Sequence, residues 1–356
     1  MKQIISFKFM NKIKSLNLFF ILLFVLVIIL YRDFLYTYRM QLENFLPYYN
    51  YQDQIIYYLT GDKSYDVEAP MNLRFLGLLV QYIIFKFVPC LELTRINLET
   101  LPYPNYVCTT FSSALMNYIS LCAVMALMFI YAYKKLNLSL AESFVCLFLS
   151  YVLIDHVEAF TLDRISILYL VLILYFLDKP KTCLVLILLS CLVNEKIIFL
   201  LGVFFFIKFF FQKDGFYKRY FWANFISGLL VVLIFYYYAL VLGQGYLQSE
   251  QPEGLYNTMF TDGLSRILGM FRSKAGLSNA LIPLLFSISP YVLNFFAKTH
   301  INKKISFSNL EILVPLSLVL FAAGGGIEQT GRYVMYSFPI WVPILACQFC
   351  NLVKIK

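Results

Sequence analysis

The sequence predicts an all-α protein, a single polytopic bundle of about ten transmembrane helices. Three observations lead to this prediction: charged residues are few, apolar runs are long, and basic residues recur on alternate connections. Charged types make up 14% of the 356 residues, whereas soluble domains carry about 25%. So few charges cannot cover a large surface in water, and the composition therefore places the chain in the membrane class.

The apolar runs approach the length of about 20 residues that a helix needs to cross a bilayer. Helices are expected because lipid offers no hydrogen-bond partners to the backbone. In chain order the predicted crossings are 16–31, 107–133, 140–154, 165–177, 182–193, 197–211, 221–242, 277–297, 310–323 and 334–350. The runs 165–177 and 182–193 are the shortest for this purpose.

The basic residues orient these crossings, because cytoplasmic connections of membrane proteins are rich in Lys and Arg. With both termini in the cytoplasm, the inner side carries 17 of the 29 Lys and Arg residues and 4 of the 20 carboxylates. The inner side is then +13 and the outer side −4. We therefore predict a multi-pass protein of the cell (inner) membrane. Its net charge of +9 is spread over short connections, so nucleic acid is not an expected partner.

Two long loops face outward in this topology, 32–106 and 243–276. The stretch 73–88 is apolar enough to span, but a crossing there would invert every later basic turn. We therefore expect it to lie at the outer surface as an interfacial helix, with Arg74 and Lys86 near its ends. No linker or low-complexity block divides the chain, which predicts one integral membrane domain, 1–356.

The eight cysteines do not indicate a disulfide framework. Most of the eight lie in apolar runs and are interpreted as packing residues. Cys90 and Cys108 both fall on the predicted outer side, where an oxidising compartment would allow a disulfide bond between them. Cys347 and Cys350 form a C-x-x-C without a second metal-binding pair, so they do not predict a metal site.

Charged residues gather at the outer ends of the predicted helices, and charge near the hydrocarbon marks candidates for function. A carboxylate there can act as a general base on an acceptor hydroxyl, and Lys or Arg can hold a lipid phosphate as it leaves. Together these groups suit the movement of a sugar from a lipid phosphate. Asp155 and Glu158 have a simpler interpretation as helix caps. The candidates are Asp53, Asp155, Glu158, Asp163, Glu195, Lys196 and Arg332.

Four different sequence landmarks follow one another along the chain. Asp53 precedes Tyr57 in the first outer loop, and a Pro-led apolar segment, 69–76, follows. Asn194-Glu195-Lys196 begins a helix after a short apolar hairpin, and Arg332-Tyr333 leads into an apolar stretch that contains Pro. In this order and on this side of the membrane, the landmarks resemble those of the GT-C superfamily of membrane glycosyltransferases, of the protein mannosyltransferase and aminoarabinose transferase type.

The resemblance implies a polyprenyl-phosphate sugar as donor and a glycan, lipid or protein as acceptor on the extracytoplasmic face. It implies that Asp53 is the base or a metal-linked acid, and that Lys196 and Arg332 contact the phosphate. A second acid would be one of Asp155, Glu158 and Asp163. Substrate-binding residues would be Tyr57, Arg74, Glu195, Lys196, Arg332 and Tyr333.

The match also has departures. Gln54 follows Asp53 where relatives often carry a second acid, and the soluble outer domain of many relatives has no counterpart. Some relatives use a divalent metal, and the sequence does not decide whether this chain does.

Other functions stay open. A surface-polysaccharide polymerase would use basic residues of the second outer loop, such as Arg266, Arg272 and Lys274. A transporter or lipid flippase tends to show paired halves, and a structural membrane subunit would only display solvated charges. The expected partners are a lipid-linked sugar donor and membrane lipids, and no oligomeric state is predicted.

Overall fold

A computed structural model describes residues 74–88, 106–155, 163–241, 282–297, 309–323 and 334–353, with isolated positions between 27 and 39. All regular elements in these ranges are helical, which confirms the predicted class for this part of the chain. The helices are α1 (Phe75–Phe87), α2 (Tyr106–Ile130), α3 (Leu140–Asp155), α4 (Asp163–Tyr175), α5 (Pro180–Leu189), α6 (Glu195–Phe206), α7 (Lys218–Val241), α8 (Ile282–Ala297), α9 (Leu313–Ala323) and α10 (Phe338–Val353).

Local sequence signals start several of these helices. Ser139 and Glu142 form a capping box before α3: Glu142 accepts from the Ser139 amide at 2.6 Å, and Ser139 accepts from the Glu142 amide at 3.2 Å. Pro180 opens α5, where its missing amide proton does no harm. Asn194 caps α6, with its side-chain oxygen 3.0 Å from the Lys196 amide. Each predicted crossing from 107 onward therefore coincides with a helix, within a few residues at its ends.

Two helices end in the same way. α2 continues into a π turn, Tyr131–Lys135, and α6 into another, Ile207–Phe211. Each turn is followed by a residue in the left-handed region, Asn137 at φ 52° and Lys213 at φ 54°. The amide after each of these residues returns to a carbonyl six positions earlier, at 3.1 Å and 3.2 Å. This is the Schellman arrangement widened by one residue, and it satisfies carbonyls at the helix ends.

Packing between the helices follows their apolar faces. α2 contacts α1, α3 and α4, while α3 also packs on α10. α6 contacts α4, α7 and α9, and α8 packs on α10. Leu170, Ile173, Leu200, Phe205 and Trp341 are fully buried in one continuous core that joins these groups. α4 therefore lies against both α2 and α6, which is the arrangement that positions the candidate site.

One helix of the described residues, Val107–Lys135, is long and apolar enough to cross a membrane by length and composition. Several shorter apolar helices among them span 10–17 residues, or roughly 15–26 Å, against about 30 Å of hydrocarbon. One candidate span is thus shown, and the multi-pass bundle stays a proposal. The first predicted crossing, 16–31, lies almost wholly outside the described residues.

The stretch 73–88 forms α1, as expected, but Arg74 does not behave as an interfacial cation. Its side chain is buried, with 4% of the residue exposed, and it points to an acid on α6. Leu78 packs with Met116 of α2, while Phe75 and Phe87 are exposed. The helix is therefore anchored to the bundle through its first turn and one face.

Candidate functional site

The structure describes four of the predicted site residues in full, and it brings them together. Arg74, Asp163, Glu195 and Lys196 meet in a buried polar group with Asn194 and Tyr336, which we call the Asp163 cluster. Asp155 is the last residue of α3, and its side chain is not described. The remaining predicted residues, Asp53, Tyr57, Glu158, Arg332 and Tyr333, lie outside the described residues.

The first contact in the cluster joins α1 to α6. Arg74 Nη2 lies 2.6 Å from Glu195 Oε1, and Nε lies 3.4 Å from Oε2. This two-point geometry suits a guanidinium and a carboxylate. Arg74 is buried, whereas the Glu195 side chain is 31% exposed. Glu195 is therefore the member of the pair that solvent or a ligand can reach.

The second contact joins α6 to α4 and is sealed from solvent. Lys196 Nζ lies 3.2 Å from Asp163 Oδ1, and both side chains are buried. The Tyr336 hydroxyl donates to the same Asp163 oxygen. The Lys196 ammonium also lies 5.2 Å from the centre of the Tyr336 ring, a cation–π distance. Asp163 thus compensates a cation that burial alone would disfavour.

Asn194 connects these groups. Its side-chain oxygen caps α6 through the Lys196 amide, so its amide nitrogen is directed to the other side. That nitrogen lies 3.1 Å from Ser166 Oγ, 3.3 Å from the Tyr336 hydroxyl and 3.5 Å from Asp163 Oδ1. The cap and the ion pair therefore share one residue, and the start of α6 cannot move without disturbing both.

The ends of four helices meet at the cluster, and all four are N-terminal ends. Arg74 directly precedes α1, Asp163 is the first residue of α4, Glu195 is the first residue of α6, and Tyr336 lies two residues before α10. Helix N-termini carry partial positive charge and attract anions. Two acids and two cations cancel among the side chains, so these dipoles leave a net attraction for negative charge.

The pKa shifts at the exposed edge of the Asp163 cluster, where Arg74 meets Glu195, also indicate a surplus of positive charge. Burial would raise the pKa of Glu195, but the positive charges of Arg74 and Lys196 outweigh it and hold the pKa below its usual value. Burial would lower the pKa of Arg74, but attraction to Glu195 and Asp163 raises it instead. Both groups are therefore charged at neutral pH.

Two contacts place the cluster at one end of the bundle. At the far ends of α2 and α4, Lys135 and Asp178 form an ion pair at 2.6 Å, so these two helices run in the same direction. The beginning of α4 at Asp163 therefore lies on the side where α2 begins. Cys108, at the start of α2, is disulfide-bonded, and disulfides form in oxidising compartments. Cys90, the other cysteine on the predicted outer side, lies outside the described residues.

Sequence reasoning left Asp163 as one of three acids and did not single out Tyr336 or Ser166. A signal existed for each: a polar side chain lies at the first turn of an apolar helix or directly before one. Among the described residues, no group of three or more His, Cys, Asp or Glu side chains is placed to hold a metal ion.

Comparison with protein-family models, with curated proteins and with solved structures finds no match for this chain.

Proposed function

We propose that the chain is a multi-pass membrane glycosyltransferase that moves a sugar from a polyprenyl-phosphate donor to an acceptor on the extracytoplasmic face. The observation that carries the proposal is the Asp163 cluster, in which two buried cations meet four helix N-termini. Ionisable residues within an apolar bundle are expensive to place and generally serve a function.

The surface of α7 supports a membrane setting. Its described part exposes large apolar side chains, with Trp222 at 48%, Phe225 at 50% and Val232 at 63%. Water-soluble proteins rarely expose a contiguous apolar face of this kind. Val107–Lys135 is also apolar and long enough to span. The two helices together support the proposal that more than one helix contacts lipid.

The proposed roles follow from charge and from the hydrogen bonds already made. Arg74 and Lys196 contribute the positive charge that a donor phosphate needs, and Glu195 holds Arg74 until the phosphate takes its place. Asp163 already accepts from Lys196 and Tyr336, so we assign it to positioning Lys196 and not to deprotonating an acceptor hydroxyl. The general base would come from Asp53, Asp155 or Glu158.

Arg332 completes the proposal through chain connectivity. It lies outside the described residues and precedes Tyr336 of the Asp163 cluster by four positions in the sequence. A third cation at the cluster would make the side-chain charge of the site positive. The resemblance to GT-C transferases assigns this Arg to the phosphate, which agrees with that count.

The test is binding and transfer of a polyprenyl-phosphate sugar by the full chain in proteoliposomes, with three variants. Arg74→Met should weaken donor binding by roughly 10- to 100-fold, the loss expected for one charge-assisted contact. Arg74→Lys should fall between, because an ammonium cannot make the two-point contact. Lys135→Met removes an exposed ion pair at the other end of the bundle and should leave binding unchanged. Equal donor binding in all three variants would refute the phosphate site.

One observation favours a second function, a proton- or ion-coupled transporter. α6 also carries a buried ion pair at its other end, between Lys208 and Glu311 at 2.5 Å, and chains of buried acids and bases occur in transporters. Proton uptake into proteoliposomes separates the two functions. A transporter would acidify its lumen in response to substrate, whereas a transferase would not.

A further inference from the structure

A second site lies at the other end of the bundle, where α7 begins. A surface cavity of about 500 Å³ is lined by Gly215, Phe216, Lys218, Arg219 and Trp222. The Tyr220 hydroxyl donates to the Leu177 carbonyl at 2.7 Å, just after α4. This contact places the cavity at the end of α4, away from the Asp163 cluster, and hence on the predicted cytoplasmic side.

The lining of the cavity combines two cations with aromatic rings. The Arg219 guanidinium lies 4.9 Å from the Phe216 ring centre and 5.1 Å from the Tyr220 ring centre. These rings hold it without neutralising it, and no described carboxylate forms an ion pair with Lys218 or Arg219. The acid nearest in sequence, Asp214, accepts from the Phe216 amide at 3.0 Å as a cap. The cavity is therefore positively charged at its rim.

An apolar stripe starts at the cavity and follows α7. Trp222, Phe225, Ile226, Leu229 and Leu233 recur at helical spacing and are all exposed. From the first to the last they extend about 16 Å along the helix axis, which is close to half the thickness of the hydrocarbon, about 15 Å. The stripe thus has the length of one acyl chain in one leaflet.

We propose that this cavity binds the headgroup of an anionic phospholipid whose acyl chain lies along the stripe. The positive charge of the cavity distinguishes between the two molecules that could cover this face, a second copy of the chain and a lipid. A second copy of this chain, packed in the same orientation through a two-fold contact, would bring its own Lys218 and Arg219 against these two. Anionic lipid instead supplies the negative charge, and Trp is a side chain that favours the interface. The proposal requires that α7 faces lipid and is independent of sugar transfer.

The experiment uses the fluorescence of Trp222 in the full chain, reconstituted in vesicles. Acyl chains brominated near the interface quench an exposed Trp, whereas Trp341, the other Trp of the chain, is buried. Brominated phosphatidylglycerol should quench more strongly than brominated phosphatidylcholine at equal mole fraction. Trp222→Phe should remove the quenchable signal, which assigns it to the stripe.

Charge variants then test the headgroup site. Lys218→Gln with Arg219→Gln should lower the preference for phosphatidylglycerol, by up to about five-fold for each cation. The charge-preserving pair Lys218→Arg with Arg219→Lys should retain it. Lys179→Gln with Lys181→Gln removes the same charge from exposed positions outside the cavity and should have little effect. Inorganic phosphate at millimolar concentration should not relieve the quenching.

Three results would overturn the proposal: equal quenching by the two lipids, an equal loss in the Lys179 and Lys181 control, or full relief by free phosphate. The first would leave an apolar surface without headgroup preference. The second would mean general attraction to the charged leaflet, and the third a site for a soluble anion.

Discussion

α6 carries a buried lysine near each end, and the two lysines differ in one physical respect. Lys196 is the second residue of the helix, where the partial charge of the helix terminus is positive and a cation is disfavoured. Lys208 lies in the π turn that ends it, where a cation is favoured, and its partner Glu311 precedes α9, where an anion is favoured. In Lys208–Glu311, the lower pair, both charges thus agree with their helix ends. In Lys196–Asp163, the upper pair, Asp163 agrees with its helix end and Lys196 opposes its own.

This difference indicates which pair serves function. Arg74, directly before α1, opposes its helix end in the same way as Lys196. A sequence selected only for stability would place cations at the C-terminal ends, as at Lys208. Departures from local rules without a gain in stability tend to mark functional sites. Under the proposed function, Arg74 and Lys196 are held in place for a ligand, whereas the lower pair holds α6 to α9.

The largest effect is expected from the upper pair. Lys196→Met leaves Asp163 buried without its cation and should lower the free energy of unfolding by about 3–5 kcal/mol. Asp163→Asn with Lys196→Met removes both charges and keeps an oxygen for Tyr336, so most of that stability should return. Donor binding and sugar transfer should not return, because the cation is still absent. Unfolding in an SDS titration and donor binding are measured on the same preparations.

The double variant distinguishes a structural role of the Lys196–Asp163 pair from a role in donor binding. If sugar transfer recovers together with stability, Lys196 is structural and the proposed phosphate contact is wrong. If stability fails to recover, the hydrogen bonds of Asn194 and Tyr336 depend on the carboxylate itself.

The same cycle at the lower pair should give a different outcome. Glu311→Gln leaves Lys208 without its carboxylate and should also destabilise by about 3–5 kcal/mol. Lys208→Met with Glu311→Gln should recover stability and, in contrast to the upper pair, full transfer activity. If Lys208→Met with Glu311→Gln is stable but its transfer activity stays low, the contrast between the two ion pairs is wrong. That result would favour the transporter, in which both buried pairs take part.

The helices of the described residues could be predicted from the sequence, because long apolar runs favour helices. The orientation that the basic turns indicate stays a prediction. Glu195 and Lys196 are predictable for the site because they lie between two apolar runs. Arg74 is implied there by the resemblance alone. Asp163 could not be chosen over its neighbours at 155 and 158, since only packing of α4 on α6 brings it to Lys196. Tyr336 was missed because its partner lies 173 positions away in the sequence, a distance at which spacing carries no information.

A smaller effect is expected from pH at the exposed edge of the Asp163 cluster. The pKa of Glu195 is lowered in the folded chain, so its contribution to stability is present above the unfolded pKa of about 4.3. It is lost as pH falls through the folded pKa. The difference in Tm between wild type and Glu195→Gln should therefore hold from pH 7 to about 5 and shrink below 4. A difference that grew on acidification would contradict the ion pair with Arg74.

The smallest effect concerns the turn that follows Lys208. Lys213 has φ 54°, a conformation that costs a side chain with a Cβ about 1–2 kcal/mol. Lys213→Gly removes that strain but adds freedom to the unfolded chain, an opposing effect of about 0.4–1 kcal/mol, so a net gain of up to about 1.5 kcal/mol is expected. Asn137 occupies the matching turn after α2 at φ 52°, and because Asn tolerates this region better, Asn137→Gly should gain less. Unfolding free energies of the two variants decide the order. Transfer activity should not change in either, because both turns lie at the end of the bundle away from the Asp163 cluster.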